Sequence, residues 1–251
     1  LGIIGGSGLY DLEGIELIED IKLDTPFGDP SDSYKLCKLN DIEVAFLPRH
    51  GRAHSISPSK INYQANIYGM KELGVDRILS VSACGSLREE IKPLDFVIPS
   101  QFVDRTNQAR NFTFFDEGIV AHVTFAHPVC AALAKILEKS VVKSGAQCHL
   151  DKTYLNMEGP QFSTLAESQL YRNWGMDIIG MTNLAEARLA REAEIAYVTL
   201  AAVTDYDCWH PDHDSVTIEQ IIGNLNKNIA KAKAIIKDFI INSANQTNTA
   251  D

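Results

Sequence analysis

Ile195-Ala196-Tyr197-Val198-Thr199-Leu200-Ala201-Ala202-Val203 is an apolar run of strand length, and it stops at Thr204-Asp205-Tyr206-Asp207-Cys208-Trp209. Such a run reads as a buried strand of an α/β sheet. Two carboxylates at i and i+2 then stand where the strand emerges. If the strand continues through them, its pleat points Asp205 and Asp207 the same way. Acids at the mouth of an apolar sheet are costly to bury unless a hydrogen-bonding partner meets them there.

Working outward, Gly2-Ile3-Ile4 reads as a short buried strand running into Gly5-Gly6-Ser7-Gly8. Ile42 to Leu47 is a strand ending in Pro48-Arg49-His50-Gly51-Arg52, and Arg77 to Val81 is another, closed by Ser82-Ala83-Cys84-Gly85-Ser86. Asp95 to Pro99, Thr153 to Met157 and Asp177 to Thr182 continue the sheet, with a polar loop from Asp104 to Gly118. Ser57-Pro58 predicts an N-cap and a first helical position, with the helix running through Asn62, Tyr63 and Ala65 to about Gly74. Further helices are expected from His127-Pro128 to Gly145 and from Leu184 to Glu194. From Ile218, apolar residues recur at helical spacing through Phe239. No repeat or linker divides the chain, so the expectation is one α/β domain over 1–240 and a frayed polar tail over 241–251.

The 251 residues carry a net charge of −10, and no Lys/Arg stripe of the kind a nucleic-acid binder needs is present. A few local cations can still hold a small anion against that balance. Five cysteines, odd in number and without a C-x-x-C pair, argue against a zinc knuckle or a disulfide framework and for a reducing compartment. No apolar stretch is long enough to span a bilayer, and the N-terminus shows no signal-peptide pattern, although a start at Leu1 leaves room for a few leading residues. A cytoplasmic protein with no membrane or nucleic-acid partner is expected.

Each motif sits at a strand end, where α/β sheets place ligands. Gly5-Gly6-Ser7-Gly8 lets backbone N–H groups approach an anion, with the Ser7 hydroxyl as a further donor; alone it is an ordinary tight turn. A dinucleotide-binding G-x-G-x-x-G fails because Asp11 stands where the third glycine belongs, and a G-x-S-x-G nucleophile elbow fails at Leu9. Arg49-His50 is the best anion clamp, a bidentate guanidinium beside an imidazole donor, with a surface Arg next to a packed His as the alternative. Ser82-Ala83 and Met181-Thr182 add a hydroxyl and a backbone N–H at two more strand ends. His50/His54 lacks H-E-x-x-H and His210/His213 lacks a third ligand, so no metal is expected. Cys84, without a cation or helix N-terminus beside it, reads as a packed residue. Adenine offers a ring nitrogen that can be protonated and an exocyclic amine, which would satisfy both aspartates.

The segments GIIGGSGLYD (2–11), PRHGRAH (48–54), SPSKINYQANI (57–67), SACGSLREEI (82–91), MEGPQFSTLAES (157–168), GMTNLAEA (180–187) and VTDYDCW (203–209) occur in order. Together they resemble the trimeric purine nucleoside phosphorylase superfamily, most closely its members that cleave 5'-methylthioadenosine, over Leu1 to about Ile240. The resemblance implies a single-domain α/β fold with a mixed central sheet flanked by helices, assembled as a homotrimer with shared active sites. It implies that Ser7, Arg49, His50, Ser82, Ala83 and Thr182 hold inorganic phosphate. Met181 would lie under the ribose, Phe162 and Ser163 near the base, and Thr204, Asp205 and Asp207 along the purine. His122 would reach a neighbouring subunit's site near the 5' group. Ser7 and Ser82 stand where relatives often carry threonine, and Gln161 where some carry arginine.

The implied reaction is phosphorolysis of 5'-methylthioadenosine to adenine and 5-methylthio-D-ribose 1-phosphate, a pentosyl transfer of purine and methionine salvage. Inorganic phosphate is the co-substrate and no other cofactor is implied. Asp205 is the expected general acid at N7, because burial and a second carboxylate both raise its pKa, and Asp207 the acceptor for the 6-amino group. The two can titrate as a coupled pair, which leaves the division of roles open. A 6-oxopurine nucleoside or 5'-methylthioinosine phosphorylase is the runner-up.

Overall fold

The computed structural model describes residues 1–6, 12–107, 110–211 and 218–244, excluding the side chains of 218–222, 225 and 226. Its elements in chain order are β1 (Gly2–Gly5), β2 (Ile15–Ile21), β3 (Tyr34–Leu39), β4 (Ile42–Pro48), α1 (Tyr63–Glu72), β5 (Arg77–Ser86), β6 (Phe96–Arg105), α2 (Ala131–Lys143), β7 (Cys148–Met157), α3 (Leu165–Asn173), β8 (Ile178–Gly180), α4 (Asn183–Glu192), β9 (Ala196–Asp205) and α5 (Ile218–Ser243).

The nine strands form one mixed sheet in the order β2-β3-β4-β1-β5-β8-β7-β6-β9. β1 runs parallel to β4 and β5, and β5 parallel to β9, whereas β2–β3, β3–β4, β5–β8 and β6–β9 are antiparallel. β5 also pairs with β9, so β5, β8, β7, β6 and β9 close into a ring. Alternation sorts the apolar side chains to two faces. Ile3, Leu79 and Val198 face a cluster with α2 and α5, while their neighbours Ile4, Ile78 and Tyr197 face α1 and α4. The strands of this centre are covered on both sides, which is why they read as continuous apolar runs.

The observed elements depart from expectation at β2 and β3, which the sequence pattern does not indicate, at β7, which begins at Cys148 and not Thr153, and in the following places. Ser57-Pro58 does not begin the long helix. Pro58–Lys60 is a single 3-10 turn, and α1 starts at Tyr63 because the Asn62 side chain caps it, accepting from the Ala65 N–H at 3.1 Å. β5 continues through Ser82–Ser86 instead of closing there, and β6 runs on to Arg105. Helix α3 was not anticipated, although Thr164 and Glu167 form a capping box at its start. Finally, α5 passes the expected boundary at Ile240 and ends at Ser243, whose side chain is buried and whose carbonyl accepts from Arg77.

Candidate active site

The C-terminal ends of β5 and β9, the loop after β4 and the N-terminus of α4 surround a cavity of about 650 Å³. Arg49, His50, Ser82, Ala83 and Thr182 line it, as do Phe162, Met181, Thr204, Asp205 and Asp207. Ten expected residues from five separate segments therefore meet in one place. Ser163 sits just behind the wall, its carbonyl accepting from Cys208 Sγ at 3.4 Å. His122 is exposed and lies away from the lining, within a loop that also exposes Ile119, Val120 and Val123. Ser7 falls outside the described residues, as does His213; Gly6 borders the cavity.

The two aspartates are not paired by a pleat. β9 ends at Asp205, and Asp207 adopts a left-handed backbone with φ 54°. The Asp207 N–H turns back to donate to Asp205 Oδ1 at 2.8 Å, so a side-chain turn brings the acids together. Burial, with the second carboxylate adding to it, lifts the Asp205 pKa from 3.8 to about 6 against the opposing hydrogen bonds from Thr204 and the Asp207 N–H. Burial likewise raises the Asp207 carboxyl, against opposing interactions with the Ser168 and Ser163 hydroxyls, and its enclosed Oδ2 makes no hydrogen bond of normal geometry among the described residues. The Ser168 hydroxyl, also buried without a partner of normal geometry, is one donor within reach of this acceptor, and a ligand N–H at the cavity wall is another. Thr204 Oγ1 lies 2.6 Å from Asp205 Oδ2 and 3.2 Å from the Cys84 carbonyl. With one hydrogen, it can donate to the carboxylate, or to Cys84 when Asp205 is protonated. Gly85 makes room for this arrangement, since a Cβ there would stand 2.9 Å from Asp205 Oδ1.

At the other end of the cavity the anion-binding character comes from α4 and β5. Thr182 is the N-cap of α4, a ten-residue helix whose N-terminus favours negative charge. Asn183 ties the parts together, its Oδ1 accepting from Ser82 at 2.9 Å and its Nδ2 donating to Ser80, Tyr197 and Thr199. Ser82 pairs with Ala201 and Gly85 with Asp205 across the β5–β9 ladder. Three strand residues therefore separate the two ends, about 10 Å.

Arg49 does not offer the bidentate grip expected of it. The residue is 2% exposed and its guanidinium is engaged inward. Nε and Nη2 donate to Glu186, Nη2 also to Ser80 Oγ at 2.7 Å, and Nη1 to the Val81 carbonyl at 3.1 Å. One Nη1 hydrogen is left over among the described residues. Glu186 and Asn183 are the functional positions that the sequence reading missed. Behind the rim, Arg110 is also buried. It bonds Glu158, the Glu158 carbonyl at 2.7 Å and the Met181 carbonyl at 2.6 Å, which anchors the backbone at Met181. On the far side, α5 hangs on β9 through Asn224 and Asn228, whose amides donate to the Thr204 and Val203 carbonyls. Cys84 is buried with its thiol pKa raised by burial, as a packed residue should be. The described residues hold no group of three His, Cys, Asp or Glu arranged for a metal ion, and none of their helices is long and apolar enough to cross a membrane.

Residues 1–241 match the profile of the phosphorylase superfamily. The chain is 58% identical to S-methyl-5'-thioadenosine phosphorylase of Koribacter versatilis over 240 residues, covering 96% of this chain and 82% of that one. It is 59% identical to the protein of the same name from Thermosynechococcus vestitus, covering 96% and 84%. Among solved structures, a methylthioadenosine phosphorylase from an antarctic soil metagenomic library superposes with a TM-score of 0.94 at 50% identity, covering 99% of this chain and 88% of that one. The methylthioadenosine phosphorylase of Schistosoma mansoni, solved with adenine, gives 0.93 at 33% identity, covering 98% and 92%.

Proposed function

The chain belongs to the phosphorylase superfamily, and from that premise we propose that it cleaves 5'-methylthioadenosine with inorganic phosphate, giving adenine and 5-methylthio-D-ribose 1-phosphate. The observation that carries the choice of base is the pair of buried carboxyls at the cavity wall, Asp207 with an Oδ2 that makes no hydrogen bond of normal geometry and Asp205 raised to about 6. That Oδ2 suits a 6-amino donor and opposes a 6-oxo acceptor. A group with that pKa is partly protonated near neutrality and can hand its proton to N7.

Phosphate is the nucleophile, so the protein needs none of its own. Its role is to position phosphate under the sugar and to stabilise charge as the glycosidic bond breaks. Ser82, Ala83, Thr182, His50 and the remaining Arg49 N–H are the phosphate ligands, with Ser7 completing the cradle. The α4 N-terminus supports that assignment. Met181, held through its carbonyl by Arg110 and by Asn156 at 3.2 Å, forms the surface under the ribose. Phe162 and Ser163 flank the base. As electrons flow into the departing purine, Asp205 delivers its proton and becomes a carboxylate. The Thr204 hydroxyl then turns from the Cys84 carbonyl to Asp205 Oδ2 and stabilises the new charge.

The working unit is a homotrimer with shared sites, in which His122 enters the neighbouring subunit's cavity near the 5' group. Its support is the exposure of Ile119, Val120 and Val123 beside His122, at 68%, 73% and 43%, an apolar patch that suits a subunit contact. No cofactor besides phosphate takes part. The protein acts in the cytoplasm, in purine and methionine salvage, and its five cysteines are all free.

Release of free base from 5'-methylthioadenosine and 5'-methylthioinosine, each with and without phosphate, tests this function. Phosphate-dependent release of adenine, far faster than of hypoxanthine, is expected. Preference for the inosine would overturn the reading of the aspartates, and release without phosphate would make the enzyme a hydrolase.

A further inference from the structure

The His50 ring is fixed at one nitrogen. Nδ1 lies 2.8 Å from the carbonyl oxygen of Ile56, and the Ile56 N–H donates back to the His50 carbonyl at 3.1 Å. A carbonyl only accepts, so Nδ1 carries the hydrogen, and the ring, when uncharged, presents a lone pair at Nε2. The ring borders the cavity, and Nε2 has no hydrogen-bond partner among the described residues.

Little around the ring favours a second proton. Arg49 is its chain neighbour, and the His54 ring lies tilted against it at 4.5 Å between centroids. Glu186, the anion in this region, is engaged by Arg49, Ser80 and Tyr197. Burial first and the Arg49 charge second depress the imidazole to about 4, against smaller opposing effects of the Ile56 carbonyl and Glu186. At neutral pH the ring is uncharged.

A bare phosphate oxygen set against that lone pair would place acceptor against acceptor. A phosphate oxygen that bears a hydrogen would donate to it. We propose that His50 holds a hydrogen-bearing phosphate by accepting a P–OH hydrogen at Nε2, which turns the oxygens that carry no hydrogen toward Thr182, Ser82 and the sugar. This rests on the phosphate reading above and adds to it the species that binds. The protonated oxygen is the poorest nucleophile of the four, and holding it on His50 keeps it from the anomeric carbon.

Dianions without a proton discriminate. Sulfate carries none at neutral pH, and monofluorophosphate has fluorine in place of the hydroxyl at nearly the same size and charge. Arsenate retains the hydroxyl. In initial-rate assays of the intact enzyme, arsenate should replace phosphate. Sulfate and monofluorophosphate should compete with phosphate at least about tenfold more weakly than phosphate itself binds, the worth of one hydrogen bond to a charged group. In His50→Gln the side-chain amide can turn an N–H toward the anion. The phosphate KM should rise, and the gap between phosphate and monofluorophosphate should shrink to within about threefold, or less than one such bond. Monofluorophosphate binding as tightly as phosphate to the unaltered enzyme would overturn the proposal and leave the phosphate site standing. So would a tenfold gap that persists in His50→Gln. Base release that needs no phosphate would instead remove the phosphate reading itself.

Discussion

Replacing Glu186 by glutamine tests how the anion end of the site is held. The carboxylate is 1% exposed and accepts from Arg49 Nε and Nη2, from Ser80 Oγ at 2.6 Å and from Tyr197 Oη at 3.0 Å. Glu186→Gln keeps the shape but removes the charge and turns an NH2 group toward donors. Arg49, 2% exposed, is then a buried cation without a counter-ion. Removing one partner of a buried ion pair costs about 3–5 kcal/mol. In a chain of this size each kcal/mol lowers Tm by about 2–4 °C, so calorimetry should find a drop of roughly 6–20 °C. Arg49→Met combined with Glu186→Leu removes both charges and should regain part of the loss, since apolar replacement of a buried pair is often nearly neutral. Recovery stays incomplete because the Ser80 and Tyr197 hydroxyls lose their acceptor. Phosphate affinity should not return with stability, because the double variant lacks the Arg49 N–H and the frame around it. A Tm within about 2 °C of the unaltered enzyme for Glu186→Gln would refute this account of the pair, since less than about 1 kcal/mol would then be at stake.

Three further outcomes follow from the acid end. Asp205→Asn should depress 6-amino turnover and relatively favour 6-oxo nucleosides, read as the ratio of kcat/KM for 5'-methylthioadenosine and 5'-methylthioinosine; equal losses on both would sink the base-recognition argument. The same variant should be more stable at neutral pH. The folded pKa of Asp205, about 6 against 3.8 free, means the native state binds more protons across that interval, so stability falls as pH rises from about 4 to about 6. Asparagine escapes that cost, giving up to about 3 kcal/mol above pH 6 and no difference below about pH 4, measurable as Tm against pH. Gly85→Ala, with its Cβ 2.9 Å from Asp205 Oδ1 and 3.1 Å from Ile179, should displace the carboxylate and lower kcat/KM at least about tenfold while circular dichroism stays native. An alanine variant with undiminished kcat/KM would show that Asp205 is not held where it is described.

What the sequence revealed depended on burial. β1, β4 and the first half of β5 were legible because both faces are covered, which removes any polar alternation. β2 was missed because nearly all of it is exposed, with Glu16, Glu19 and Asp20 interrupting any pattern. The far halves of β6 and β7 carry Gln101, Asp104, His149 and Lys152, and polar residues there read as loop. The aspartates of the base site stood out as charges at the end of an apolar run. Glu186 did not, because a glutamate in a helix with alternating charges looks like a solvated face. Only the packing of α4 against β9 turns that position inward. The grip of Arg49 was misjudged for the same reason, its partner being 137 residues away. Thr164 and Glu167, three residues apart, are a capping signal for α3 that the sequence itself carries.

Closure of the β5-β8-β7-β6-β9 ring also bears on self-association of the sheet. Among the described residues β2 is the strand left without a neighbour along the whole of one side. That border would be a template for pairing with another chain, since Leu17 and Ile18 are about half exposed on it. Three carboxylates in seven residues and a register shift between Leu17 and Glu19 blunt it. Two copies meeting edge to edge would set Glu16 and Glu19 of one against those of the other, so this border carries its own guard against aggregation.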